Sequence, residues 1–177
     1  MPRLADDAAP LRARPLLFLD FEASALTPGS WPVEIGWARI EDGRVSVRAE
    51  IIAPRPDWSM ADWSEVSARV HGIPLAAIRA GRPADDIAAE TDAFAGCEIV
   101  SDNPAWDQRW LDRLRAGRPR LAVRPFAAAL RERLDDAQAN ALARTLLRAP
   151  APHRAGPDAE RLARAWLAAS RAFGLAA

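Results

Sequence analysis

The stretch Leu16-Leu17-Phe18-Leu19-Asp20-Phe21-Glu22 constrains the fold more than any other part of the chain. A short unbroken apolar run has no polar face to give to water. It suits an interior strand buried on both sides, although a buried helix fragment shows the same local pattern. Thr27-Pro28-Gly29-Ser30 signals a turn. Residues 33–40 and 45–52 read as two further strands, joined by Glu41-Asp42-Gly43-Arg44, whose Asp-Gly pair favours a hairpin. Pro54 and Pro56 end the third strand.

Helical patterns dominate downstream. Residues 61–70 predict a helix closed by Gly72, and residues 84–94 one closed by Gly96. Residues 97–101 read as a strand. Asn103-Pro104 opens a helix to about residue 115, with Asn as cap and Pro at the first helical position. Residues 121–123 suit a short strand, and residues 126–134 and 137–148 suit helices. Pro157 begins a last helix to about residue 172. Residues 1–14 mix charge, alanine and proline without a period and read as a flexible N-terminal arm, leaving one domain over 15–177. Strands first, then helices alternating with strands, predict an α/β fold with a mixed sheet and helices packed on it.

Composition narrows the function classes. The 24 basic and 24 acidic residues cancel, so no global field draws the chain to nucleic acid and any such role rests on local clusters. There is no lysine: all 24 basic residues are arginine, and alanine is abundant, as the coding bias of a GC-rich genome would give. Arginine abundance therefore carries little functional weight. A single Cys97 excludes an internal disulfide and a cysteine-based zinc site. No apolar run approaches the ~18 residues of a membrane span. The start, MPRLADDAAPLRAR, lacks the apolar core of a signal peptide. A cytoplasmic protein without a membrane partner is the expectation.

Three sets of acidic residues stand where a core is expected. Asp20 and Glu22, two apart on a strand, share one face and repel unless a cation or solvent relieves them. Asp107 shares a helical face with Leu111 and Leu114, the face that should be buried. His153 lies in a Pro- and Gly-rich loop before Asp158, which falls in the first turn of the last helix. A loop histidine can titrate near neutral pH and serve as a base. Each set alone also fits solvated acids and a linker histidine.

In this order, D-x-E on a first strand, N-x3-D opening a middle helix and H-x4-D opening a last helix resemble the DEDDh family of 3′→5′ exonucleases. That family includes the proofreading subunit of polymerase III, ribonuclease T and oligoribonuclease. The resemblance spans about residues 16–172. Glu34-Ile35-Gly36 resembles its second-strand pattern, and His71-Gly72-Ile73 a turn before the second motif. It implies a ribonuclease H-like mixed β-sheet flanked by α-helices. It also implies two Mg²⁺ or Mn²⁺ ions held by Asp20, Glu22, Asp107 and Asp158, with His153 as general base. The implied reaction hydrolyses the 3′-terminal phosphodiester of single-stranded DNA or RNA to nucleoside 5′-monophosphates. The partner would be a single-stranded 3′ end, and compact relatives often pair as homodimers.

The first motif continues as Ala23-Ser24-Ala25-Leu26 where the family commonly has Thr-Thr-Gly-Leu, so terminal-nucleotide contacts at Ala23 fall to the backbone. Leu26 stands where the resemblance places an apolar wedge beside the terminal base. Asp102 replaces a usual histidine and adds negative charge. Ala23, Leu26, Asn103 and Arg109 are the expected substrate-binding positions. Arg109, Arg113, Arg115, Arg118, Arg120 and Arg124 surround a single acid, Asp112. They fit either a track for a phosphate backbone or a solvated surface. Trp106 and Trp110, one helical turn apart, fit either base stacking or the core. Two other function classes stay open: a catalytically weak nucleic-acid-binding module, against which the intact acids and His153 weigh, and a polymerase-associated proofreading subunit.

Overall fold

A computed structural model of the chain describes residues 14–148 and 151–173. Apart from Arg14, the arm expected over residues 1–14 lies outside the described residues. The first strand, β1 (Leu16–Ala23), is the predicted apolar run. It pairs antiparallel with β2 (Pro32–Glu41), which pairs antiparallel with β3 (Arg44–Ala53). Asp42 and Gly43 turn the β2–β3 hairpin with φ of 51° and 68°. Positive φ at both central residues is what a tight Asp-Gly hairpin demands.

Downstream lie α1 (Glu65–His71), α2 (Leu75–Arg79), β4 (Arg82–Pro83), α3 (Ala84–Glu90), β5 (Glu98–Ser101) and α4 (Pro104–Leu114). They are followed by β6 (Val123–Pro125), α5 (Phe126–Arg131), α6 (Asp136–Arg148) and α7 (Ala155–Phe173). The sheet order is β4-β3-β2-β1-β5-β6, so β1 is interior. β5 runs parallel to β1, and β6 parallel to β5. Among the described residues this is a mixed six-stranded sheet flanked by seven helices, the ribonuclease H-like arrangement.

The two faces of β1 carry different chemistry. Leu17, Leu19 and Phe21 point into one core with Val33, Ile35, Trp110 and Leu111. Phe18 points into the other with Val100, Phe126, Leu162 and Trp166. By strand alternation Asp20 and Glu22 share the Phe18 face, which α7 covers. The apolar core on that face therefore gives way to acids toward the end of β1. Parallel β5 ends at Ser101, one residue past its Phe18↔Val100 pairing with β1, so its carboxyl end lies close to Asp20, and α/β sheets place their sites at such strand ends.

Several elements differ from the sequence expectation. Residues 61–70 are not one helix: a 3-10 turn (Met60–Asp62) comes first, and Ser64 then caps α1. Helix α7 begins at Ala155, two residues before Pro157. Proline is tolerated in a first turn because its missing N–H has no intrahelical acceptor there. Asn103 occupies the cap position of α4 but its side chain makes no capping bond. Its N–H donates instead to the Ser101 hydroxyl at 2.9 Å. Trp110 is core: its indole N–H donates to Ser30 Oγ at 3.0 Å, and Trp106 stacks on it at 5.4 Å.

Candidate metal centre

Elements distant in sequence bring the acids together. Oxygens of Asp20, Glu22 and Asp158 lie within 4.8 Å of one another, and so do oxygens of Asp20, Asp102 and Asp107. Asp20 belongs to both sets. β1 supplies two carboxylates, the first turn of α4 supplies Asp107, and the first turn of α7 supplies Asp158. Asp107 is 1% exposed and Asp158 is 7% exposed. The Ser101 hydroxyl, at the end of β5, donates to Asp107 Oδ2. The Arg154 N–H donates to Asp158 Oδ2 at 3.1 Å, while Asp158 Oδ1 is buried without a hydrogen bond among the described residues.

Crowding these acids holds protons on them. Burial, then the charges of Asp107, Glu22, Asp158 and Asp102, holds the Asp20 carboxyl well above the ordinary carboxylate range. Burial, then Asp158 and Glu34, pushes Glu22 up to about 7, against the Arg154 guanidinium. Burial pushes Asp107 up to about 8 despite the Ser101 hydroxyl. Burial also raises Asp158, opposed by the Arg154 amide, Arg161 and His153.

The donor set fits a divalent cation. Five hard carboxylates converge, one has a buried oxygen with no hydrogen bond among the described residues, and one guanidinium stands between two of them. That guanidinium is Arg161, 2.9 Å from Asp102 and 3.4 Å from Asp158. Protons held above the ordinary range mark a negative field that a cation would relieve.

The other expected positions are placed as follows. His153 is exposed, with φ of 53°, two residues before α7 and close enough for its charge to act on Asp158. Ala23 is buried at a bulge in the β1–β2 register, and Leu26 is 67% exposed. Asn103 is exposed beside Asp102. Arg109 lies two residues beyond Asp107, about 200° around the helix, and its guanidinium stands 5.6 Å over the Trp106 ring. Much of the arginine stripe is tied to acids. Arg115 and Arg118 grip Asp92, Arg120 pairs with Asp112, and Arg124 pairs with Glu98 and Glu132. His71 closes α1; its Nδ1 accepts from the Ile73 N–H at 3.0 Å, and burial lowers its pKa. Sequence reading missed Ser101, Arg154 and Arg161 and gave Glu34 no role, since each acts on a partner remote in sequence or on a bond no motif encodes.

No protein-family model and no curated protein matches the chain. Solved structures do. The complex of E. coli Exonuclease I with a dA16 oligonucleotide is 17% identical with a TM-score of 0.64; the match covers 92% of this chain and 42% of that one. The chain thus spans less than half the length of Exonuclease I. The nuclease domain of 3′hExo, a DEDDh family member bound to rAMP, is 12% identical with a TM-score of 0.64, over 92% of this chain and 94% of that one. S. pombe Pop2p in its Mg²⁺- and Mn²⁺-bound form is 13% identical with a TM-score of 0.64, over 92% and 85%. At these identities the likeness shows a shared fold.

Proposed function

We propose that the chain is a metal-dependent 3′→5′ exonuclease of the DEDDh type, releasing nucleoside 5′-monophosphates from the 3′ end of single-stranded DNA or RNA. One observation carries the reading: Asp20, Glu22, Asp107 and Asp158, scattered over 139 positions (20 to 158), meet in one centre with His153 beside it. Neighbours of the same fold hold the ligands this reading needs, an oligonucleotide in Exonuclease I and Mg²⁺ and Mn²⁺ in Pop2p.

Asp20, Glu22, Asp107 and Asp158 would hold two Mg²⁺ or Mn²⁺ ions, with Asp102 close enough to join Asp20 and Asp107. Bound, these ions would offset the carboxylate charge and stabilise the negative charge that builds on the phosphate during in-line displacement. The protein's own groups do the rest. Ser101 orients Asp107 from the end of β5, and the Arg154 amide orients Asp158. His153 takes the proton of the attacking water, from a position open to substrate. Leu26, exposed beyond β1, wedges against the terminal base, and the Ala23 backbone lies alongside the terminal nucleotide. Arg109 on its Trp106 platform meets the strand farther from the end.

The test is incubation with 5′- and 3′-labelled single-stranded DNA and RNA, with Mg²⁺, Mn²⁺ or EDTA. The 5′-labelled strand should shorten stepwise, and the 3′ label should leave at once as a mononucleotide, both only with metal. Binding without shortening would favour the module that kept the fold and lost turnover.

A further inference from the structure

We propose that Glu34 is a positioning residue of this centre: its carboxylate grips Arg154 and the Ala155 amide, and so holds His153 and Asp158 in register with Asp20 and Glu22. The inference rests on the nuclease reading and deepens it.

Glu34 sits directly across from Glu22 in the β1–β2 register and is 2% exposed. A carboxylate so buried on an interior strand is expensive unless its oxygens are matched. They are matched by two consecutive residues. Arg154 Nε donates to Oε1 and Oε2 at 3.2 and 3.0 Å, and Arg154 Nη2 donates to Oε1 at 2.6 Å. The Ala155 N–H donates to Oε2 at 2.9 Å. These residues directly follow His153, and the Arg154 N–H holds Asp158. One grip therefore fixes the segment carrying both the base and the last acid.

Two further observations point the same way. Gly36, two residues along the same face of β2, touches that segment backbone to backbone: a Cβ there would lie 2.1 Å from the Ala155 carbonyl carbon and 2.3 Å from the Gly156 nitrogen. His153 has a left-handed backbone at φ 53°. A non-glycine residue persists there only where its surroundings over-determine it. Packing alone does not call for an acid at position 34. The rest of α7 is seated by Leu162, Ala163 and Trp166, and an apolar residue often replaces a buried ion pair without loss. A charged fork fixes direction as well as distance.

The test is Glu34→Gln, which keeps the shape and the acceptor for Ala155 but removes the charge that holds the guanidinium. Turnover of labelled single-stranded DNA should fall ~10–100-fold, the usual worth of such an outer partner, with KM within about twofold. In a His153→Ala background Glu34→Gln should lower turnover by less than about twofold more, because residues acting as a unit are not additive. Independently of activity, Mn²⁺ affinity should fall ~10-fold in the wild-type background and less than about twofold in Asp158→Asn. Full turnover and full Mn²⁺ affinity in folded Glu34→Gln, or fully additive losses in both backgrounds, would overturn the inference. Should Glu34→Gln not fold, Arg154→Gln, whose side chain is 43% exposed, breaks the same grip and carries the same expectations. If the wild type binds Mn²⁺ but cleaves nothing, the nuclease reading fails, and the Mn²⁺ cycle still decides the role of Glu34.

Discussion

Gly36→Ala is the sharpest test of how the last helix is seated. Ordinary van der Waals contact begins at 3.4 Å, whereas the added Cβ would lie 2.1 Å from the Ala155 carbonyl carbon, a shortfall of 1.3 Å (3.4 − 2.1). The opposing atoms are backbone, so no side chain can swing aside. Either β2 or the start of α7 must move by about an ångström. Overpacking of this kind costs about 1–3 kcal/mol. In a chain of this size each kcal/mol shifts Tm by about 2–4 °C, so Tm should fall by about 2–12 °C. Turnover should fall ~10²-fold, since misplacing a reacting group by about 1 Å costs that much. Two glycines serve as controls. At Gly29 a Cβ would meet only the Asp62 side chain, and at Gly96 nothing within 4 Å. Gly96→Ala should leave Tm unchanged or raise it, and Gly29→Ala should cost less than Gly36→Ala. Melting by circular dichroism and a labelled-oligonucleotide assay read all three. An unchanged Tm with turnover within about twofold of wild type in Gly36→Ala would refute the close seating of α7 on β2.

Other consequences follow from the charges. In the folded chain Glu22 is pushed up to about 7 and Asp107 to about 8, against ordinary values of 4.5 and 3.8. Between the ordinary and raised values the unfolded state binds fewer protons than the folded one, so stability falls as pH rises. Metal-free protein should resist urea better at about pH 5 than at about pH 8, and a flat or rising profile in EDTA would contradict this. His153→Ala should lower turnover ~10²–10⁴-fold and keep Mn²⁺ binding; wild-type activity would make His153 a linker residue. Arg124→Ala leaves Glu98, 1% exposed, with Arg133 as its remaining guanidinium partner. It should therefore cost about 1–3 kcal/mol of stability and leave the salt dependence of oligonucleotide binding unchanged; a shallower salt slope would restore the phosphate-track reading.

The legible parts of the fold were those encoded over short distances. The apolar run of β1 and the Asp42-Gly43 hairpin depend on neighbours in sequence and appear where the pattern puts them. Helix α2, only five residues long, shows no full period from which to read it. The break at Trp63 was hidden because the 3-10 turn and α1 present one mixed stretch of helix formers. In the site, the four acids and His153 stood out through their order along the chain. The Glu34–Arg154 pair did not, because 120 positions separate its members and neither is unusual alone. The arginine stripe stayed open between two readings for the same reason: the acids that tie much of it down, Asp92, Glu98 and Glu132, lie outside the stripe in sequence.

Titration of Mn²⁺ into metal-free protein, followed by calorimetry and by the electron paramagnetic resonance of the free ion, tests the central claim most directly. Two ions should bind per chain, Asp20→Ala should abolish both because Asp20 belongs to both carboxylate sets, and binding should weaken as pH falls through the raised range of Glu22 and Asp107. No binding by the folded wild type, or full binding by Asp20→Ala, would show that the converging carboxylates are not a metal centre.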